Sequence, residues 1–100
     1  MVADGEGVPE KDAADVKWYS KAAEQGDGKD QTVRGVMYGY GKGVLRDRKR
    51  AYMWYNIGNA NGNELGWINK GNVTKKMTLA DISKAQNMSS RCLDSGYTDC

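Results

Sequence analysis

The sequence predicts an all-α fold: one small domain built as a short α-α superhelix of stacked helices, about five in number. Three observations predict it. The chain resembles itself at a displacement of 36 positions, which pairs Met1 with Met37, Gly5 with Gly41, Gly7 with Gly43, Val8 with Val44, Trp18 with Trp54, Tyr19 with Tyr55, Gly26 with Gly62 and Gly35 with Gly71. Glycines and aromatics dominate those pairs, and both have fixed physical jobs: a turn that only glycine makes easily, and a large apolar group at one point of one helix. Between the glycines, apolar residues recur at spacings of three and four, the mark of one buried helical face. A period of roughly 30–40 residues holding two helices signals an array in which each pair buries its face only against the next.

Met1 to Val8 reads as a turn, because Gly5 and Gly7 take positive φ at little cost and Pro9 then suits a helix entry. A helix runs from about Lys11 to Gln25, with Ala13, Val16, Tyr19, Ala22 and Ala23 on one face, and Gly26 stops it. Asp27 to Tyr38 is expected to be helical mainly on the strength of the repeat. Its Gly28, Thr32, Val33 and Gly35 are mediocre helix formers, and Asp30 and Arg34 interrupt the apolar face. Gly39, Gly41 and Gly43 then make a turn like the first.

Asp47 to Asn59 is the clearest helix, since Ala51, Met53, Trp54, Tyr55 and Ile57 give it apolar surface wide enough for two neighbours. The run Gly58 to Asn63 ends it. Glu64 to Lys75 is the next helix, with Leu65, Trp67, Ile68 and Val73 apolar and Gly66 and Gly71 inside it. Thr78 caps the last one, with Asp81 three residues on in a weak capping box, and Leu79, Ile82, Ala85 and Met88 carry it to about Cys92. Ser95, Gly96 and the final residues form a turn and a short tail. By repeat, the chain divides into 1–26, a partial repeat expected to lack its first helix; 27–62, a full repeat; and 63–100, the last helix pair and tail.

Composition limits the function classes. With 39% hydrophobic residues, no phenylalanine and 13 glycines, the core must lean on three tryptophans, six tyrosines and five methionines. A net charge of +2, from 15 basic and 13 acidic side chains, is too balanced to call for a polyanion. No apolar run approaches the roughly 20 residues that cross a bilayer, so no membrane partner is expected. The start, MVADGEGVPEKD, has neither a basic n-region nor an apolar h-region. As it stands the chain reads as cytoplasmic, or as periplasmic or secreted if an export signal has been removed. Cys92 and Cys100 could close one short loop; the missing signal favours free thiols, and both states stay open.

The stretches GVPEKDAADVKWYSKAAEQGD and RGVMYGYGKGVLRDRKRAYMWYNIGNANGNE resemble Sel-one-like repeats, relatives of the tetratricopeptide repeat. The elements that carry the resemblance are the turn Gly41, Gly43, Val44, the helix-start Asp47, the small Ala51, the pair Trp54 and Tyr55, and the stop at Gly62. The tail KKMTLADISKAQNMSSRCLDSGYTDC is similar to the closing helix often seen after the last such repeat. Members usually carry alanine where this chain has Asp15 and Asp30, and leucine where it has Arg34. Those are packing positions, where an unpartnered charge is costly, so a pairing of Asp15 with Arg34 is one expectation. The absent first helix leaves a face uncovered, and a second copy of the chain, a homodimer, is expected to cover it.

The resemblance implies a non-catalytic protein–protein interaction module of adaptor or scaffold type. In that family the first helix of each pair lines a concave face that takes up protein or peptide segments. Carried onto this chain, it implies partner contacts at Gln31, Tyr38, Trp67 and Lys70. The plainer reading of Trp67, that it seals the last helix, stands beside this one. Some cysteine-rich relatives are described as β-lactam-binding or hydrolysing, which gives an enzymatic alternative; here the two cysteines lie outside the repeat core and no Ser-x-x-Lys opens a helix. A weaker alternative is nucleic-acid binding through the basic run Arg46, Arg48, Lys49, Arg50. With no histidine and only two cysteines, no catalytic residue, metal site or cofactor is expected. The string Gly39 to Gly43 lacks the preceding strand and succeeding Lys-Ser of a phosphate loop, and a repeat turn explains it better.

Overall fold

The computed structural model describes residues 26–100. The helix expected over Lys11–Gln25, with Trp18 and the Asp15–Arg34 pairing, lies outside them. The described chain is four helices: α1 (Gly28–Tyr40), α2 (Arg48–Ala60), α3 (Glu64–Thr74) and α4 (Leu79–Asp94).

Three of the four starts are fixed by a side-chain cap. The Asp27 carboxylate accepts from the N–H groups of Lys29 at 3.0 Å and Asp30 at 3.3 Å. Asp47 accepts from Arg50 N–H at 3.2 Å, and the Thr78 hydroxyl accepts from Asp81 N–H at 3.1 Å. Each bond satisfies a donor that a helix start otherwise leaves open. The ends are equally local. After α2, Gly62 sits at φ 95°, and the Asn63 N–H reaches back to the Gly58 carbonyl at 2.9 Å. After α4, Gly96 sits at φ 64° and the Tyr97 N–H bonds the Cys92 carbonyl at 2.9 Å. Both closures need a left-handed residue, which glycine supplies without strain. α1 runs two residues beyond the expected Tyr38 because Gly39 stays helical and the left-handed turn falls at Gly41.

α2 is the centre, packing against all three other helices, and α4 packs on α2 rather than on α3. Accordingly Ala51, Tyr52, Met53, Trp54, Tyr55, Ile57 and Gly58 are all buried. Met53, Trp54 and Ile57 meet Cys92, with Tyr38, Met88, Tyr97 and Cys100 around them. On the other side Ala51, Tyr52 and Tyr55 meet Val73 and Ala85.

The glycines that made α1 a poor helix former are what let it approach α2. A Cβ at Gly28 would lie 2.7 Å from the Asn61 carbonyl oxygen, and one at Gly35 would lie 2.6 Å from the Tyr55 ring. Propensity costs about 1 kcal/mol at each such position, and the close crossing offsets it. Arg34 meets its packing problem over aromatic rings: its guanidinium carbon is 4.6 Å from the Trp54 ring centre and 5.9 Å from that of Tyr38. Cation–π contact replaces the expected leucine's apolar contact. Asp30 stays partly exposed beside the cap, where desolvation, then the neighbouring Asp27, raise its carboxyl above the ordinary value.

The tail is fastened back onto α2. Cys92 and Cys100 are joined by a disulfide with their Cα atoms 4.6 Å apart. An Arg50 guanidinium N–H donates to the Cys100 carbonyl at 3.2 Å, and Asn61 Nδ2 donates to the Tyr97 hydroxyl at 2.9 Å. Among the described residues no helix is long and apolar enough to cross a membrane, and no group of His, Cys, Asp and Glu could hold a metal ion.

Candidate functional site

α3 carries the most conspicuous exposed apolar surface. Trp67 is 61% exposed, Leu65 58% and Ile68 46%, all within one turn of each other. Trp67 and Ile68 line a groove of about 340 Å³ with Tyr52, Lys70, Gly71 and Thr74. Tyr52 reaches it from α2, so the groove runs along the flank of α3. Lys70 is held at its edge, Nζ donating to Asn56 Oδ1 at 3.1 Å and standing 5.8 Å from the Tyr52 ring centre. A cation so fixed leaves the apolar floor open instead of sweeping across it.

Gly71 makes the groove. A Cβ there would meet nothing within 4 Å. Its repeat partner Gly35 is the reverse, crowded by the Tyr55 ring and the Ala51 carbonyl. The register explains the difference: 36 positions after Tyr55 stands Arg91, an exposed residue of α4. Because α4 packs on α2, no aromatic is delivered to Gly71 as Tyr55 is delivered to Gly35.

The same comparison sorts the four residues expected to touch a partner. Trp67 and Lys70 lie in the open copy, on α3. Gln31, the repeat counterpart of Trp67, is fully buried, its Oε1 accepting from Asn61 Nδ2 at 2.8 Å. Its expected place on the binding surface is therefore corrected: the side chain has no exposed surface to offer a partner. Tyr38 is half-buried between the guanidiniums of Arg34 and Arg50, at 5.9 and 5.8 Å. The structure thus brings Trp67 and Lys70 together and does not add Gln31 or Tyr38 to them. Tyr52 and Gly71 were missed; the signal lay in the repeat, where matched glycines have an aromatic 20 residues downstream in one copy and arginine in the other.

The basic run is divided: Arg46, Arg48 and Lys49 line one hollow together with the carboxylates of Asp47 and Asp81, and Arg50 stands apart from it. Arg50 turns to Asp47, Tyr38 and the tail, with its Nε 3.4 Å from Asp47 Oδ2. Lys49 faces Asp81 at 3.9 Å. Arg46 and Arg48 border a separate hollow beside α3.

Stacked helices closed by glycine turns, with a central helix buried on several sides, define a helical-repeat protein of the solenoid kind. The chain belongs to the Sel1 repeat family: the Sel1 repeat model matches residues 2–27 and 31–63, the second match spanning nearly all of α1 together with α2. Sel1 repeats are generally protein–protein interaction modules and are typically non-catalytic. No curated protein matches the chain.

Proposed function

We propose that the chain is a non-catalytic adaptor whose groove on α3 takes up a protein segment and seats an apolar side chain of that segment over Gly71. The observation that carries this reading is the contrast between two repeat-related glycines, Gly35 filled by Tyr55 and Gly71 bare. Inside the molecule the filled version is an aromatic ring lying on a helix backbone. The open version offers the same backbone, flanked by Trp67, Ile68 and Tyr52. Aromatic walls around a slot for one large side chain are the usual make-up of an interface anchor.

The test is selection of short peptides on the intact chain. Binders should share an aromatic or large aliphatic residue, compete with one another, and lose roughly tenfold or more in affinity on Trp67→Ala. A library that yields no binder, or binders indifferent to Trp67→Ala, would sink the reading. So would self-association at micromolar concentration that is abolished by the same substitution, since the groove's occupant would then be a second copy of this chain.

A further inference from the structure

On the flank of α3 opposite the groove lies a second hollow, of about 230 Å³, where the end of α1, the start of α2 and the end of α3 meet. Its walls include Tyr40, Arg48, Tyr55, Asn69, Asn72 and Lys76, and no carboxylate lines it. We propose that this hollow is a binding site for a phosphate-type oxyanion, a doubly charged tetrahedral group held between Arg48 and Lys76.

Neither cation is spent on an internal partner. Among the described residues, Arg48 and Lys76 have no carboxylate within ion-pair distance. The nearby acids face other partners, Asp47 its own helix start and Arg50, Asp81 the Lys49 ammonium at 3.9 Å. The remaining wall groups are neutral donors suited to an anion. The Asn69 and Asn72 amides can each turn an NH2 group inward. Tyr55 is almost wholly buried, and a Cβ on Gly39, another lining residue, would lie 3.0 Å from its hydroxyl. Burial first, then the nearby Tyr40, push this phenol up to about 12, so it stays protonated and can donate. Two cations with several neutral donors match the several acceptor oxygens of a phosphate better than the two of a carboxylate. The exposed Tyr40 ring and Val73 at the wall leave room for an organic group esterified to that phosphate.

The site stands apart from the peptide groove: the two share no lining residue, although α2 and α3 contribute walls to both. It is tested by titrating the whole chain at constant ionic strength with inorganic phosphate and, separately, with phenyl phosphate, tracking amide shifts by NMR and the unfolding temperature. Saturable shifts at Asn69, Asn72 and Lys76 and a rise in unfolding temperature are expected. Arg48→Gln and Lys76→Gln should each weaken binding roughly tenfold. Lys84→Gln, at a residue that does not line the hollow, should leave it unchanged. Tighter binding of phenyl phosphate would name an esterified phosphate as the natural group, and equal binding the free ion. If phosphate acts no differently from chloride, or if both Gln variants bind as the parent does, the proposal is wrong. It is equally wrong if a single-stranded oligonucleotide binds far more tightly, with a salt dependence of several phosphates and no loss on Lys76→Gln.

Discussion

Asn61 Nδ2 donates to Gln31 Oε1 at 2.8 Å, which ties the first turn of α1 to the residue that ends α2. The same nitrogen lies 3.2 Å from the Ile57 carbonyl and 2.9 Å from the Tyr97 hydroxyl, so one amide joins α1, α2 and the tail. Gln31→Ala removes a fully buried side chain from this junction and leaves the amide short of an acceptor. Denaturant unfolding should show a loss of about 2 kcal/mol. Peptide binding in the α3 groove should not change, because Gln31 does not reach that surface.

Two glycines of α3 should respond in opposite directions to alanine. A Cβ at Gly66 would run into the Tyr55 carbonyl and come within 2.8 Å of the Asn59 nitrogen, both on the backbone of α2. Gly66→Ala must push the helices apart and should cost about 1–3 kcal/mol. Gly71→Ala meets open space and should raise stability by about 1 kcal/mol through helix propensity. If the groove is the binding site, that more stable variant should bind selected peptides less well. Thermal melts beside an affinity measurement check both halves.

Alkali should unfold the protein over a defined window. The Tyr55 phenol is raised to about 12 in the folded chain against about 10 when unfolded. Above pH 10 the unfolded chain gives up this proton more readily than the folded one. The contribution is therefore complete below pH 10 and is lost as pH rises toward 12. Tyrosinate absorbance should show a late-titrating phenol that is missing in Tyr55→Phe. Stability of that variant should fall less steeply across the same window.

Reducing the Cys92–Cys100 bond should cost about 2–3 kcal/mol, the loop-closure value for a short ring. The tail also covers Met53, Trp54 and Ile57 through Tyr97 and Cys100. Release should therefore redden and quench the Trp54 emission, while Trp67, already in water, changes little. A Trp18→Phe/Trp67→Phe variant, read before and after reduction, isolates the Trp54 signal.

The helices were legible in the sequence because their signals are local. Caps at Asp47 and Thr78, stops at Gly62 and Gly96 and the three-four spacing around Trp54 all act within a turn or two of chain. What could not be read was which face of which helix another element covers. Gln31 and Trp67 hold the same place in the repeat, yet one is wholly buried and bonded to Asn61 while the other stands exposed on α3. Arg34 was legible as a charge in a packing position. Its resting place on Trp54 depends on a contact across 20 residues, which no local pattern encodes.

The fastening of the tail makes the two ends of α4 unequal. Here the C-terminal turn of α4 is held by the disulfide, the Tyr97–Cys92 backbone bond, Arg50 and Asn61. Its first turn has the Thr78 cap, with Leu79 85% exposed beside it. Amide exchange along α4 should accordingly start at Leu79 and travel toward Cys92, so that the helix frays from the side facing the rest of the chain.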